Sequence, residues 1–521
     1  MLDAKKVILT LADNTTNTIT DSSRLSTEED YSAAIYSKED LIINGNGTLN
    51  VNAGYRNGIK STDDCIIVSG TLNITSTEDG IIGKDLCGIV AGDININAGS
   101  DGIKSTYDTD TTKGNVIIEG GNITVKASND GIQAENILVI NDGTINIKTN
   151  NGAADTTQTH TDNMYMGRGG FGFNNNKTTT TTDDTAESRK GIKAGNMLII
   201  NDGDITIDSD DDSVHCNSVI YIYGGTINAA TGDDGVHADD LLTVNGGTIN
   251  ITQCYEGLEA DDIVINDGDI SVVSSDDGIN SSDGSITING GNLLINASGD
   301  GLDANGSIII NGGYIVVLGP TSDGDTAIDY DDSCTINGGT VMAFGSSGML
   351  EIPKGASNGA CIVTAFTSVS GGSKYTLSDS NGNEILSYTP SKAYAAAIVY
   401  SDKITTGNTY NITAGSTTLS IEVTSDVTSN VSSGLGKAGG MNMPGNGGSG
   451  MPNNGSSDNG MNGNSNGSMP DMSGNGAPDM NGNSSGDMPS MGGNSSNNGG
   501  NMPNMNNGSS NGSAPQMNNR M

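Results

Sequence analysis

One short element recurs along this chain with a beat of 22 residues, and that beat restricts the fold to a stack of similar coils. The element reads Asp-Gly-Ile-x-Ala or a variant of it. It appears at Asn57-Gly58-Ile59-Lys60-Ser61, Asp79-Gly80-Ile81, Asp101-Gly102-Ile103-Lys104-Ser105 and Asp130-Gly131-Ile132-Gln133-Ala134. It returns at Lys190-Gly191-Ile192-Lys193-Ala194, Asp212-Ser213-Val214-His215-Cys216, Asp234-Gly235-Val236-His237-Ala238 and Glu256-Gly257-Leu258-Glu259-Ala260. Asp277-Gly278-Ile279-Asn280-Ser281, Asp300-Gly301-Leu302-Asp303-Ala304 and a degenerate Thr326-Ala327-Ile328-Asp329 complete the set. Steps between the third residues are 22, 22, 29, 60, 22, 22, 22, 21, 23 and 26. A second element, Asn-Gly-Gly-Thr-Ile-Asn, keeps the same phase from Gly47 to Gly339.

Each unit holds three short strands, such as Leu198-Ile199-Ile200, then Asp204-Ile205-Thr206-Ile207, then the Gly-Ile-x-Ala piece. Turns of Asn, Asp and Gly separate them. Strands this short cannot bury a face alone and must stack on the coil before, about 4.8 Å away. Parallel crossovers are right-handed. No segment keeps a 3.6-residue period. The expected fold is therefore all-β: a right-handed parallel β-helix over residues 1–345, of about 12 coils and roughly 58 Å long.

Departures from the period place insertions. About seven extra residues fall near Tyr107 to Lys113, and a larger insertion falls at about 150–189. The latter holds His160, Met164, Met166, Arg168, Phe171 and Phe173, and reads as a ligand loop or an irregular excursion. Residues 346–432 alternate as a small β domain capping the helix. Residues 433–521 are Gly, Asn, Met, Ser and Pro, the composition of a disordered spacer. Soft-metal binding by pieces such as Met441-Asn442-Met443-Pro444 is the alternative.

Net charge is −40, from 62 acidic and 22 basic side chains. Nucleic acid is excluded as a natural partner, and cations or cation-carried ligands are favoured. No apolar run spans a membrane. Met1 to Thr20 has no apolar stretch like that of an export signal. The six cysteines read as small buried fillers, with one disulfide (Cys65 and Cys87 stand 22 apart) or reactive thiols as the alternative. With no Trp, an aromatic platform for flat crystalline cellulose is not expected.

The charge is concentrated. Between Ala194 and Pro353 there are 27 Asp or Glu residues and no Lys or Arg. Coils in register turn repeat positions into columns. One column runs Asp212, Asp234, Glu256, Asp277, Asp300, with Asp211, Asp233 and Asp276 beside it. Another runs His215, His237, Glu259, Asn280, Asp303, and a third includes Asp239, Asp240, Asp261 and Asp262. Carboxylates about 5 Å apart repel by roughly 0.8 kcal/mol per pair even in bulk water. Calcium, a hard cation taking six to eight oxygens, would relieve this, so these acids are the candidate ligands. A solvated acidic face is the plainer alternative. In the N-terminal half the corresponding column carries Lys60, Lys104 and Lys193 around Gln133, either a strip meeting ligand carboxylates or a row of outward lysines. No catalytic triad, phosphate loop or zinc spacing is present.

The coil Asp233 to Asp240, the Asn-Gly-Gly-Thr-Ile-Asn turns and the Lys-Gly-Ile-Lys-Ala element at Lys190 resemble the clostridial carbohydrate-binding β-helix family, over roughly residues 1–425. The resemblance implies calcium as cofactor, polygalacturonate and cellulose-like polymers as the family's ligands, with an acidic polysaccharide of the polygalacturonate or pectin type as the expected partner here, and an extracellular or cell-surface monomer whose sequence here begins inside the protein. The family is similar in fold to family nine pectate lyases, where acids on neighbouring coils hold a catalytic calcium and a Lys abstracts a proton. Asp212, Asp233 and Asp234 look like such a cluster, with His237 where a further Asp would be expected. Non-catalytic binding, with His215 and His237 among the ligand contacts, is the favoured reading. A lyase using Lys193 as base, and a purely structural surface rod or adhesin, are the alternatives.

Overall fold

The computed structural model describes residues 4–22, 31–154 and 188–431, and among them every regular element is a strand. The chain divides into two units, Met1–Asn442 and Met443–Met521, and the second lies outside the described residues. So do most of the 150–189 insertion and of the segment expected to be a disordered tail.

Each coil contributes one strand to each of three parallel ladders. The first ladder begins at Lys6–Leu11, the second at Thr16–Asp21 and the third at Ala33–Ser37. The second ladder stacks thirteen parallel strands from Thr16–Asp21 to Thr340–Gly345, so the parallel β-helix has about 13 turns against the 12 expected. The missed coil is the N-terminal one, whose third strand, Ala33–Ser37, has no Gly-Ile-x-Ala signature. In two coils the corner between third and first ladders opens out, and Val236–Val244 and Leu258–Ile265 each run through both.

Register explains the repeat. Along the second ladder Ile205, Ile227, Ile249, Ile270, Leu293 and Ile315 stack inward, at most 2% exposed. Each such side chain contributes about 1.5–3 kcal/mol by burial. The Gly of Asp-Gly-Ile is steric: a Cβ on Gly80 would lie 2.5 Å from the Gly102 carbonyl oxygen and 2.5 Å from Ile96 Cγ2. The Gly of the second element turns the corner with positive φ, +115° at Gly203. On the first ladder's outer corner, asparagine amides bond coil to coil, as from Asn201 to Asn141 (2.7 Å) and Asn289 to Asn266 (2.8 Å).

All six cysteines are free and buried, as fillers would be; Cys65 and Cys87 are register neighbours. Beyond the last coil Tyr394–Ser401 runs antiparallel to Thr340–Gly345 and occupies its open edge. A four-stranded antiparallel sheet, of Tyr375–Asp379, Glu384–Tyr388, Thr409–Ala414 and Thr417–Glu422, closes over a second core that includes Phe344, Tyr375, Leu377 and Ile412.

Candidate functional site

The acidic columns lie on the third ladder and the turn that enters it. Their innermost member has a structural duty. Asp212 Oδ1 accepts the backbone N–H of Asp234 (3.1 Å), Asp234 Oδ1 that of Glu256 (3.1 Å), and Asp277 Oδ1 that of Asp300 (2.6 Å). The same bond runs through the N-terminal half, from Asp79 to Asn57, Asp101 to Asp79 and Asp130 to Asp101. One oxygen of each Asp in the column thus pairs an N–H of the next coil, as Asn57 does with its amide oxygen, whereas Glu256 accepts from Asn280 instead.

The second oxygen distinguishes the halves. In the N-terminal half a cation of the chain takes it: Lys104 Nζ lies 2.6 Å from Asp101 Oδ2, and Lys193 Nζ 4.0 Å from Asp130 Oδ2 and 3.2 Å from Ser188 Oγ. Lys60 stands in the same row, its ammonium pushed down by burial. The lysine strip therefore faces the protein's own carboxylates.

The halves meet at Lys190, which occupies the Asp column itself. Its ammonium lies 2.8 Å from Asp211 Oδ1 and 2.6 Å from Asp212 Oδ2, while Arg189 pairs with Asp210 at 2.7 Å. Asp212 is fully enclosed, which would raise its pKa; Lys190, the hydrogen bond with His215 and the nearby His237 instead hold it well below the usual carboxylate range. His215 Nδ1 lies 2.8 Å from Asp212 Oδ2, and the two imidazoles meet edge to face at 4.9 Å. His237 Nδ1 sits 3.6 Å from Asp212, 3.5 Å from Asp234 and 3.4 Å from Glu259. Burial would lower its pKa, but those carboxylates drive it up to about 11. The sequence reading missed Lys190 because its unit looks like any other repeat; the signal was a Lys in a column otherwise Asp, Asn or Glu, with Thr326 in the degenerate last copy.

Further along, the histidines give way to Glu259, Asn280 and Asp303. Among the described residues no Lys, Arg or His pairs with Glu256, Asp277 or Asp300. Burial, and then neighbouring acids, push Glu256 up to about 9 and Asp277 to about 8; burial raises Asp300 to about 9 and Asp233 to about 8. For Glu259 burial outweighs the nearby His237 and the pKa rises to about 8. Oxygens of Asp277, Asp300 and Asp303 lie within 4.8 Å of one another, as do ligand atoms of Asp211, Asp212 and Asp233 and of Asp234, His237 and Glu259. Gly299 carries no side chain against this group; a Cβ there would collide with carboxylate oxygens of Asp276 and Asp277.

The third column behaves differently. Asp240 accepts from Ser218 Oγ (2.7 Å), Asp261 from Ser282 Oγ (3.1 Å) and Asp262 from the Ser285 N–H (2.9 Å). These acids cap turns, and only Asp239 approaches the histidines, 3.6 Å from His237 Nε2.

A parallel β-helix whose acidic residues align in columns along one ladder defines a class of repeat scaffold. The sequence places the chain in a particular family: the model of the carbohydrate-binding domain-containing proteins matches residues 1–235 and 233–469, and the chain belongs to that family. A carbohydrate-binding domain-containing protein of Acetivibrio thermocellus is 39% identical over 75 residues, 14% of this chain and 26% of that protein. The chain thus aligns with about a quarter of that relative's length. No solved structure matches. The carbohydrate-binding part of the expected resemblance is supported.

Proposed function

We propose that this protein binds an acidic polysaccharide of the polygalacturonate type through calcium held on the C-terminal half of the third ladder, without cleaving it. The observation that carries this reading is the run Glu256, Asp277, Asp300 with Glu259 and Asp303, partly buried carboxyls on neighbouring coils, with no Lys, Arg or His among the described residues paired to Glu256, Asp277 or Asp300. The donor set is all hard oxygen, which suits calcium rather than a soft transition metal. Asp277, Asp300 and Asp303 would form its centre, with Asp276 beside the gap left by Gly299. The group of Asp211, Asp212 and Asp233 is a weaker holder, since Lys190 already neutralises it. Bound calcium would supply positive charge with ligand positions left for uronate carboxylates, reconciling an anionic rod with an anionic polymer.

Family membership supports the carbohydrate, and the clustered, partly buried carboxyls of Asp277, Asp300 and Asp303 support the cation. Lys193 is held by Ser188 and faces Asp130, so the structure offers no specific support for its use as a base. Calorimetric titration of the metal-stripped protein with calcium, then with oligogalacturonate, tests the reading. Glycan heat that appears with calcium and vanishes in excess chelator is expected. Calcium binding without any glycan response would leave a calcium-stiffened structural rod.

A further inference from the structure

The two histidines of the third ladder stand one coil apart in one column, and their surroundings differ. His215 is spent on hydrogen bonds: Nδ1 lies 2.8 Å from Asp212 Oδ2 and Nε2 2.8 Å from Asn217 Oδ1. His237 sits farther from each of its neighbours. Its Nδ1 faces three carboxylates at once, Asp212 at 3.6 Å, Asp234 at 3.5 Å and Glu259 at 3.4 Å, and its Nε2 faces Asp239 at 3.6 Å. Regular backbone fixes this arrangement. His237 lies on Val236–Val244 and Glu259 on Leu258–Ile265, the two strands that run through the opened corner, and the two residues are register partners. Asp234 stands three residues before His237, in the turn that enters the strand.

The distances distinguish two kinds of contact. A charged imidazole that donates to a carboxylate settles at about 2.7–2.9 Å, as His215 does. Ligand atoms set tetrahedrally around one ion, at zinc's bond lengths of about 2.0–2.2 Å, stand about 3.3–3.6 Å apart. The spacing around His237 Nδ1 is of the second kind. Ligand atoms of Asp234, His237 and Glu259 all lie within 4.8 Å of one another, and Asp234 and Glu259 repel each other as anions. Asp239, beyond the far nitrogen, stands where an outer carboxylate holds Nε2–H and turns Nδ1 to a metal. The side chains of His237 and Glu259 are 26% and 20% exposed, so an ion can reach the group from solvent.

We infer that His237 Nδ1, Asp234 Oδ2 and Glu259 Oε2 form a site for a divalent transition-metal ion of the zinc class, with water as fourth ligand. Asp212 Oδ2 is not counted among the ligands, because Lys190 (2.6 Å) and His215 (2.8 Å) already hold it. The nitrogen decides the ion: calcium takes oxygen donors, whereas imidazole suits zinc, copper and nickel. The group of Asp277, Asp300 and Asp303 offers oxygen alone, so the two sites sort their ions by chemistry. Asp234 and His237 belong to one coil and Glu259 to the next, so the ion staples neighbouring coils where the corner between ladders is open. The inference rests on neither the calcium reading nor the carbohydrate reading.

The test titrates the full chain, stripped with chelator and desalted, with zinc chloride in saturating calcium. Heat and proton release are followed together, since the imidazole must shed its Nδ1 proton to solvent when the metal binds. One zinc equivalent that calcium does not displace is expected. Cobalt(II), used as a coloured probe, should give the strong visible absorption of a low-coordinate site, and zinc should bleach it. His237→Asn brings in a residue already present in the column at Asn280, and His237→Lys keeps a positive charge among the carboxylates should the first variant fold poorly. Both should lose zinc affinity by at least about a hundredfold, more than the loss of an outer partner costs, and Glu259→Gln by about tenfold or more. His215→Asn should change it by less than about threefold. Zinc affinity that survives in His237→Lys, a parent that takes up no zinc, or zinc displaced by calcium overturns the inference. Absence of calcium heat from the parent would sink the calcium reading alone and leave the zinc result standing.

Discussion

Lys190 Nζ lies 2.6 Å from Asp212 Oδ2, one coil along a column in which Lys190 itself occupies a position otherwise held by Asp, Asn or Glu, and by Thr326 in the degenerate last copy. This pair marks the point where the chain stops neutralising its own column. Removing the ammonium strands Asp211 and a fully enclosed Asp212. Lys190→Met should therefore cost about 3–5 kcal/mol of stability, the range for breaking one side of a buried ion pair. Equilibrium denaturation of the metal-stripped protein measures it, and a loss below 1 kcal/mol would show that His215 and His237 suffice as counter-charges.

The column's two oxygens have separable duties, and Asp300→Asn separates them. Asn57 shows that an amide oxygen accepts the next coil's N–H as a carboxylate does, at 3.1 Å from Asp79 N. The variant should keep its coil and, without metal near pH 8, be as stable as the parent or more so, because a carboxyl that must take up a proton on folding has gone. Calcium affinity should fall by about tenfold or more. Thermal melts and calcium titration on one preparation decide it; unchanged calcium affinity would remove Asp300 from the site.

Stability without metal should decline as pH rises. The carboxyls of Asp233, Glu259 and Asp277 stand at about 8, and those of Glu256 and Asp300 at about 9. In an unfolded chain they would titrate near 4. Between those limits the folded state holds more protons than the unfolded one, so unfolding free energy falls with increasing pH. His237, raised to about 11, acts in the same sense, while the lowered Asp212 acts in the opposite sense only in acid, below about 4. Melting curves from pH 5 to 9 in chelator should move to lower temperature. Saturating calcium should flatten or reverse the trend by occupying the ionised carboxylates.

Gly80→Ala tests the packing rule behind the repeat. The added methyl meets a carbonyl oxygen of the neighbouring coil and a core isoleucine, neither of which can withdraw without shifting a rung. A loss of about 1–3 kcal/mol is expected. Ser213, at the equivalent position in another coil, shows that the stack can open locally. A neutral result at Gly80 would mean the whole column is that compliant.

The stacked fold was legible in the residues because parallel pairing in register copies one coil onto the next. Whatever one coil needs at a position, Ile inward or Gly under a neighbouring carbonyl, recurs after 22 residues. The first coil escaped because Ala33–Ser37, although Ile35 and Ser37 stand in register with Ile59 and Ser61, has Ala33-Ala34 where the repeat has Asn57-Gly58. Columns of like charge were legible for the same reason, since equal spacing in sequence becomes equal height on the ladder.

Which oxygen does what was decided only in three dimensions. Sequence spacing puts Asp212 and Asp277 in one column, but only the packed structure shows one enclosed by Lys190 and His215 and the other beside the gap at Gly299. Nor does sequence distinguish Asp240 and Asp262, tied to serines at turns, from Asp300. Repetition is a one-dimensional property and survives in the sequence, whereas electrostatic pairing depends on short side-chain distances that only the folded coils bring about.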